Sequence, residues 1–346
     1  MTDAILLYGA YGYTGRLIAD RAKTLGQELI LAGRDAKRVA TLADEHGFAW
    51  RAFDLADAAG ELHGIGTVLH VAGPFSQTSA PMVAACLRTG TNYVDITGEI
   101  DVFEAIAAQD EAARAADMVL LPGAGFDVVP SDCIAAHVHR KLPSATHLDL
   151  VIGGLDQMSR GTAKTGLESI AEGVRVRRDG KIVTLDEVPR GTADLGQGLK
   201  PTVGMGWGDV ATAYHSTGIP DIDVFFEASP ELEKMSSLSG PARWLMSTGL
   251  GQWIGRKAID KMPEGPDAQT RATAKATMLA EARDDAGSHA SAQLVTPEGY
   301  RLTSMTALDI ALRVNAGGVA PGYHTPSSAF GPDYILGFEG VTRRDL

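Results

Sequence analysis

The 346-residue chain has only two cysteines, Cys86 and Cys133, and neither sits in a CxxC spacing. That scarcity excludes a disulfide framework or a thiolate metal site and points to a reducing, cytoplasmic setting. No run of about 18 apolar residues is available to form a membrane-spanning helix. The first residues lack the basic, apolar and cleavage-site succession of a secretory signal. Basic charge is also short: 31 Lys plus Arg stand against 43 Asp plus Glu, a net charge of −12. Such a surface repels polyanions, so nucleic acid is not an expected partner. The nine histidines form no ligand cluster; His137 and His139 are two apart on an expected helix and face different ways, so no metal is expected. A Tyr-x-x-x-Lys pair is absent throughout. At 45% hydrophobic and 21% charged, the composition is that of an ordinary globular protein long enough for two domains.

What the chain does have is glycine, 40 of them, and the first are the most informative. The run Ala4-Ile5-Leu6-Leu7-Tyr8 reads as a short buried strand, followed by Gly9-Ala10-Tyr11-Gly12-Tyr13-Thr14-Gly15. From Thr14, Leu17, Ile18, Arg21, Ala22 and Leu25 recur at helical spacing, so the loop opens a helix. Backbone N–H groups at a helix N-terminus attract a pyrophosphate, and the glycines permit the tight turn and the close approach. The spacing is GxxGxxG, a variant of the common dinucleotide fingerprint GxGxxG. A second buried strand, Leu29-Ile30-Leu31-Ala32, ends at Gly33-Arg34, where an NAD enzyme usually carries an acid for the ribose 2′-hydroxyl. A guanidinium there can fork onto a 2′-phosphate, and Lys37 and Arg38 add charge nearby. The expected cofactor is therefore NADP(H).

Strands and helices alternate through the first third. Trp50–Asp54, Thr67–Ala72, Asn92–Ile96 and Met118–Leu121 read as further strands, with helices over about Ala80–Arg88, Val102–Ala115 and, beyond the last strand, Asp132–Lys141. This rhythm predicts an α/β fold: a doubly wound parallel Rossmann sheet. Later segments read as hairpins, Val174–Arg178 with Lys181–Leu185 around Asp179-Gly180, and Thr277–Arg283 with Ala290–Thr296. The expected organisation is a nucleotide-binding domain over 1–126 and an α+β substrate or dimerisation domain over 127–303. Residues 304–346, opening with a helix over Ser304–Asn315, are expected to return to the first domain.

Ligands of a doubly wound sheet bind beyond the carboxyl ends of its strands. Three loops lie there: Ala72-Gly73-Pro74-Phe75, where small residues admit a nucleotide; Thr97-Gly98-Glu99; and Gly123-Ala124-Gly125-Phe126-Asp127. Asp54 ends the third strand and could meet the adenine, and Asp132 reads as a helix cap. Candidate cofactor contacts are thus Gly9, Tyr11, Gly12, Tyr13, Thr14, Gly15, Arg34, Asp54, Ala72, Gly73 and Pro74. Glu99 and Asp127 are candidate catalytic acids, with a loop-holding role as the alternative.

These motifs, with Pro130-Ser131-Asp132, Ser159-Arg160-Gly161-Thr162, Trp207-Gly208-Asp209, Tyr214–Pro220, Gly299-Tyr300 and Gly317-Gly318-Val319, resemble the saccharopine dehydrogenase-like oxidoreductases, in particular the group that includes trans-acting enoyl reductases. The resemblance implies a nucleotide-binding domain, a second domain inserted before a C-terminal return, and hydride transfer, without fixing a substrate. Lacking the Tyr-x-x-x-Lys acid, the chain is expected to reduce a C=C (enoyl) or C=N (imine) bond of a small-molecule or acyl substrate. Lys164, Tyr214 and His215 are candidate donors in the second domain, Tyr214 foremost. The alternative is a non-catalytic NADP-binding sensor or scaffold. The segment from Trp244 to Ile254, flanked by Arg256, Lys257 and Lys261, reads as core or homodimer packing, an acyl groove, or a peripheral membrane contact.

Overall fold

The computed structural model describes residues 4–154, 159–164, 167, 173–230, 232–233 and 248–346. The chain divides into two compact units, Met1–Val129 with Gly299–Phe330, and Pro130–Glu298 with Gly331–Leu346.

The first unit opens with β1 (Ala4–Tyr8), α1 (Tyr13–Thr24), β2 (Ile30–Gly33), α2 (Ala36–His46) and β3 (Ala49–Ala52). It continues through α3 (Ala58–Glu61), β4 (Ile65–His70), α4 (Phe75–Thr89), β5 (Asn92–Asp95), α5 (Ile100–Ala107), α6 (Asp110–Ala115) and β6 (Val119–Leu121). Leu6, Leu7, Leu31, Val68, Leu69, Val94 and Leu120 are fully buried, because helices cover both faces of the parallel sheet. α4 starts at Phe75, well before the expected Ala80, and carries Pro81 inside it. An acid from the next loop, not a local cap residue, makes that early start possible, as shown below.

The second unit contains α7 (Val129–Lys141), β7 (His147–Gly153), β8 (Val174–Arg178), β9 (Lys181–Leu185), β10 (Arg190–Asp194), β11 (Leu199–Gly204), α8 (Asp209–Thr217) and β12 (Asp221–Glu227). After these come α9 (Gly249–Ile259), α10 (Ala268–Thr273), β13 (Lys275–Arg283) and β14 (His289–Pro297). The chain then re-enters the first unit through α11 (Gly299–Asn315), β15 (Gly322–Tyr323) and α12 (Pro326–Phe330), and ends in β16 (Thr342–Asp345).

In the first sheet the order is β15-β6-β5-β4-β1-β2-β3, every neighbouring pair parallel. The order reverses between β1 and β4, which defines the ligand crevice. The second sheet is mixed, in the order β10-β11-β12-β7-β13-β14-β16, with β8 and β9 joined to it through β12. Both expected hairpins are present: β8 pairs with β9 across Asp179-Gly180, and β13 with β14.

The C-terminal segment divides differently from the expected 304–346 return. Its helix begins at Gly299, and residues after Phe330 belong to the second unit. There β16 adds antiparallel to the edge strand β14, Leu294 opposite Arg343. An open sheet edge recruits that strand, and no local pattern in Thr342–Asp345 announces it.

Candidate functional site

The Gly9–Gly15 loop is built by three glycines with separate steric duties. Gly9 has φ +90°, and a Cβ there would stand 2.9 Å from the backbone nitrogen of Ala72, so the ends of β1 and β4 touch through backbone. A Cβ on Gly15 would lie 2.5 Å from the carbonyl oxygens of both Gly9 and Ala10, which locks α1 against the loop. Gly12 N–H donates to the Gly9 carbonyl at 3.0 Å. Gly12 is also the N-cap of α1 and has no side chain to cap it. That end of the helix therefore presents its dipole and N–H groups to an anion. The Tyr13 ring meets Tyr300 of α11 edge-on, centroids 5.2 Å apart.

At the end of β2, Arg34 is exposed. Gly33 makes room for Tyr11, since a Cβ there would stand 2.6 Å from the Tyr11 ring. The Arg38 guanidinium lies over that ring at 4.3 Å, and Arg16 donates to the Tyr11 carbonyl at 2.9 Å. Tyr11 is thus a platform fixed from three sides, beside the strand end that presents Arg34. Asp54 accepts from Leu55 N–H at 2.9 Å and caps a turn. Asp54 and Arg34 both act on the buried Tyr8 hydroxyl: burial pushes that phenol up to about 12, Asp54 adds to the shift and Arg34 opposes it. The role of Arg38 was not legible beyond its charge; Gly33 directly before Arg34 is the signal that could have exposed the Tyr11 stack.

On the other side of the switch point, the Gly73–Pro74 peptide is cis. Glu99 reaches back from the loop after β5 and accepts from Phe75 N–H at 2.9 Å and Ser76 N–H at 2.6 Å. Both carboxylate oxygens cap α4 and so hold the loop after β4. Asp127 is different. It is half-buried, its carboxylate lies 3.2 Å from where a Gly98 Cβ would be, and burial pushes its pKa up to about 6. The loop that carries it is pinned by α11: Thr303 Oγ1 accepts from Phe126 N–H, and Thr306 Oγ1 donates to the Ala124 carbonyl.

A group missed by sequence reasoning sits beneath these loops. Asp95, fully buried at the end of β5, accepts from Thr97 N–H at 3.0 Å, Gly123 N–H at 2.9 Å and the Tyr93 hydroxyl at 2.8 Å. Tyr93 in turn meets His70 Nδ1 at 3.2 Å. One carboxylate thereby ties together the carboxyl ends of β4, β5 and β6. Burial pushes Asp95 up to about 6, against the pull of its hydrogen bonds, and drives His70 down to about 3, so that the imidazole is neutral.

In the second unit, the Tyr214 ring lies under the buried Arg177 guanidinium at 4.0 Å, and its hydroxyl stands 3.2 Å from where a Gly180 Cβ would be. The ring thus braces α8 against the β8–β9 hairpin turn. Lys164 is paired with Asp260 at 2.9 Å. His137 pairs with Asp345 at 2.7 Å, and among the described residues no group of three His, Cys, Asp or Glu could hold a metal ion. Trp244 lies outside the described residues; Trp253 and Ile254 are exposed on α9. Among the described residues no helix is long and apolar enough to cross a membrane.

Residues 5–121 match the family model of the saccharopine dehydrogenase NADP binding domain. The first unit carries that NADP-binding domain. NADP is accordingly the cofactor of this unit. Over 154 residues the chain is 33% identical to a trans-acting enoyl reductase of Mycobacterium ulcerans, a match covering 40% of this chain and 35% of that protein. A trans-acting enoyl reductase of Mycobacterium tuberculosis matches at 34% over 155 residues, with the same coverage. The chain thus spans about a third of the length of these relatives. A solved saccharopine dehydrogenase (L-Glu forming) from Saccharomyces cerevisiae shares the fold, with a TM-score of 0.67 at 11% identity over 99% of this chain and 100% of that one.

The steric role of Gly15 predicts that Gly15→Ala weakens NADPH binding at least about tenfold by calorimetric titration, because α1 must move off the loop. Gly60→Ala, where an added Cβ meets nothing within 4 Å, should leave the affinity unchanged.

The buried carboxyl at Asp95 predicts a pH signature. Its folded pKa lies above the unfolded value of 3.8, so its contribution to stability is fully present below about pH 4 and is lost as pH rises through about 6. In urea unfolding, wild type should lose on the order of 2–3 kcal/mol relative to Asp95→Asn across that window and remain level above it. A difference that does not change with pH would contradict the assignment.

Proposed function

We propose that the chain is an NADP(H)-dependent oxidoreductase that reduces a C=C (enoyl) or C=N (imine) bond of a small-molecule or acyl substrate. The observation that carries the reading is Asp127: a carboxyl with a raised pKa on a loop at the carboxyl end of the NADP-binding sheet. The relatives named enoyl reductases support the C=C alternative. Bound NADPH supplies the hydride. The residues do the rest. Gly9, Gly12 and Gly15 let the backbone approach the pyrophosphate, with Tyr13 and Thr14 in the first turn of α1. Arg34 holds the 2′-phosphate, Tyr11 and Asp54 border the adenosine end, and Ala72, Gly73 and Pro74 border the nicotinamide ribose. Glu99 fixes that last loop through its cap on α4.

Asp127 is the proposed proton donor. With a pKa of about 6 it retains a protonated fraction near neutrality, which a carboxyl at its ordinary pKa would not. A proton delivered from it would neutralise the charge that develops beside the carbon receiving hydride. Tyr214 is the second candidate donor, its ring held by Arg177.

Two measurements test the reading. NADPH consumption is followed across enoyl thioesters and cyclic imines. Turnover of at least one class is expected, with a rate that falls as pH rises through about 6 and drops roughly 10²–10⁴-fold in Asp127→Asn at unchanged NADPH affinity. Tight NADPH binding with silence across the whole panel would favour a sensor or scaffold instead. Arg34→Asp should weaken NADPH about 10–100-fold and leave NADH nearly unaffected, since charge-assisted hydrogen bonds to the 2′-phosphate are lost. Equal effects on both nucleotides would sink the 2′-phosphate assignment.

A further inference from the structure

Helix α9 turns its packing pattern inside out. Its inward side is made of small residues: Gly251 is buried, and a Cβ on Gly255 would stand 2.6 Å from the Leu167 side chain. Gln252 Nε2 donates to the Leu167 carbonyl at 3.1 Å, and Ile259 is buried on the same side. The orientation of the helix is thereby set. Its large apolar residues point the other way: Leu250 is 63% exposed, Trp253 59% and Ile254 55%. A soluble helix normally buries such a stripe and exposes its small and polar residues.

Leu250, Trp253, Lys257 and Lys261 follow one another at three- and four-residue steps, and Ile254 lies four beyond Leu250 and three before Lys257, so all five share one face of the helix and of the turn that ends it. Lys257 and Lys261 are exposed. Among the described residues of this segment the acids lie at the margin: Asp260 is paired with Lys164, and Glu264 comes after the helix. In a chain of net charge −12, this face is apolar at its centre and positive at its rim.

We propose that the outward face of α9 docks on an anionic phospholipid bilayer surface, lying flat with Leu250, Trp253 and Ile254 in the headgroup–acyl boundary. Tryptophan is favoured at that depth, because its ring is apolar and its N–H finds a polar partner. The lysines keep their charge among the phosphates while their stems lie along the apolar edge. A second copy of the chain suits this face less well, since a two-fold contact would gather Lys257 and Lys261 of both copies around one apolar patch. The helix is too short to span a bilayer, and the mode is interfacial.

The test uses the full chain and sedimentation with large vesicles, one set of phosphatidylglycerol and phosphatidylcholine in equal parts and one of phosphatidylcholine alone. Binding to the anionic set should exceed binding to the neutral set at least about tenfold and weaken as salt is raised. Lys257→Glu with Lys261→Glu should remove most of that preference, and Trp253→Ser should reduce binding to both sets. A blue shift of tryptophan emission on vesicle binding should vanish in Trp253→Phe. NADPH affinity, carried by the first unit, reports that each variant is folded. The proposal is overturned by absence of sedimentation with anionic vesicles, by binding that the variants do not alter, or by a concentration-dependent dimer that Trp253→Ser dissolves.

Discussion

A helix N-terminus can serve a phosphate only if no side chain has already taken it, and the first unit obeys that constraint selectively. α2 is capped by Asp35, which accepts from Arg38 N–H at 3.1 Å, and α4 is capped from a distance by Glu99. α1 starts at Gly12 with no side-chain cap. The acids that could compete for its N–H groups are placed on neighbouring helices, and glycine occupies the one position where a capping side chain would block an anion.

The same use of carboxylates organises the loops around it. Asp95 gathers the carboxyl ends of three strands through Thr97, Gly123 and the Tyr93–His70 pair. Glu99, two residues beyond Thr97, then fixes the start of α4 and with it the Gly73–Pro74 turn. A buried carboxylate with several donors is strong and costly to leave partly satisfied, so these loops have few alternative arrangements. Asp127, by contrast, is raised by burial and sits on a loop held by its backbone through Thr303 and Thr306.

Much of this was legible in the chain. The Gly9–Gly15 loop, Arg34 and the alternation of apolar strands with helices mark a nucleotide-binding sheet, because glycine spacing and hydrophobic period are local properties. Asp179-Gly180 marks its hairpin for the same reason. Glu99 was legible as a functional position but not as a cap, since its partners Phe75 and Ser76 lie more than twenty residues away. Asp95 was read only as part of a strand. Its importance arises from Gly123 and His70, which the sheet order brings beside it. The edge strand Thr342–Asp345 gave no signal, because its pairing depends on where β14 ends up.

The sequence by itself determined the cofactor class and the strand–helix alternation of the first unit, through residues whose roles depend on neighbours a few positions away. The tertiary structure alone decided that Glu99 caps α4 and that Asp95 joins three strand ends, while burial raises Asp127. It alone decided that Tyr11 carries Arg38, that α11 locks the Asp127 loop, and that α9 keeps Gly251 and Gly255 inward and its tryptophan outside. Those outcomes rest on packing and desolvation between segments remote in the chain, and both come into being only when the chain is folded.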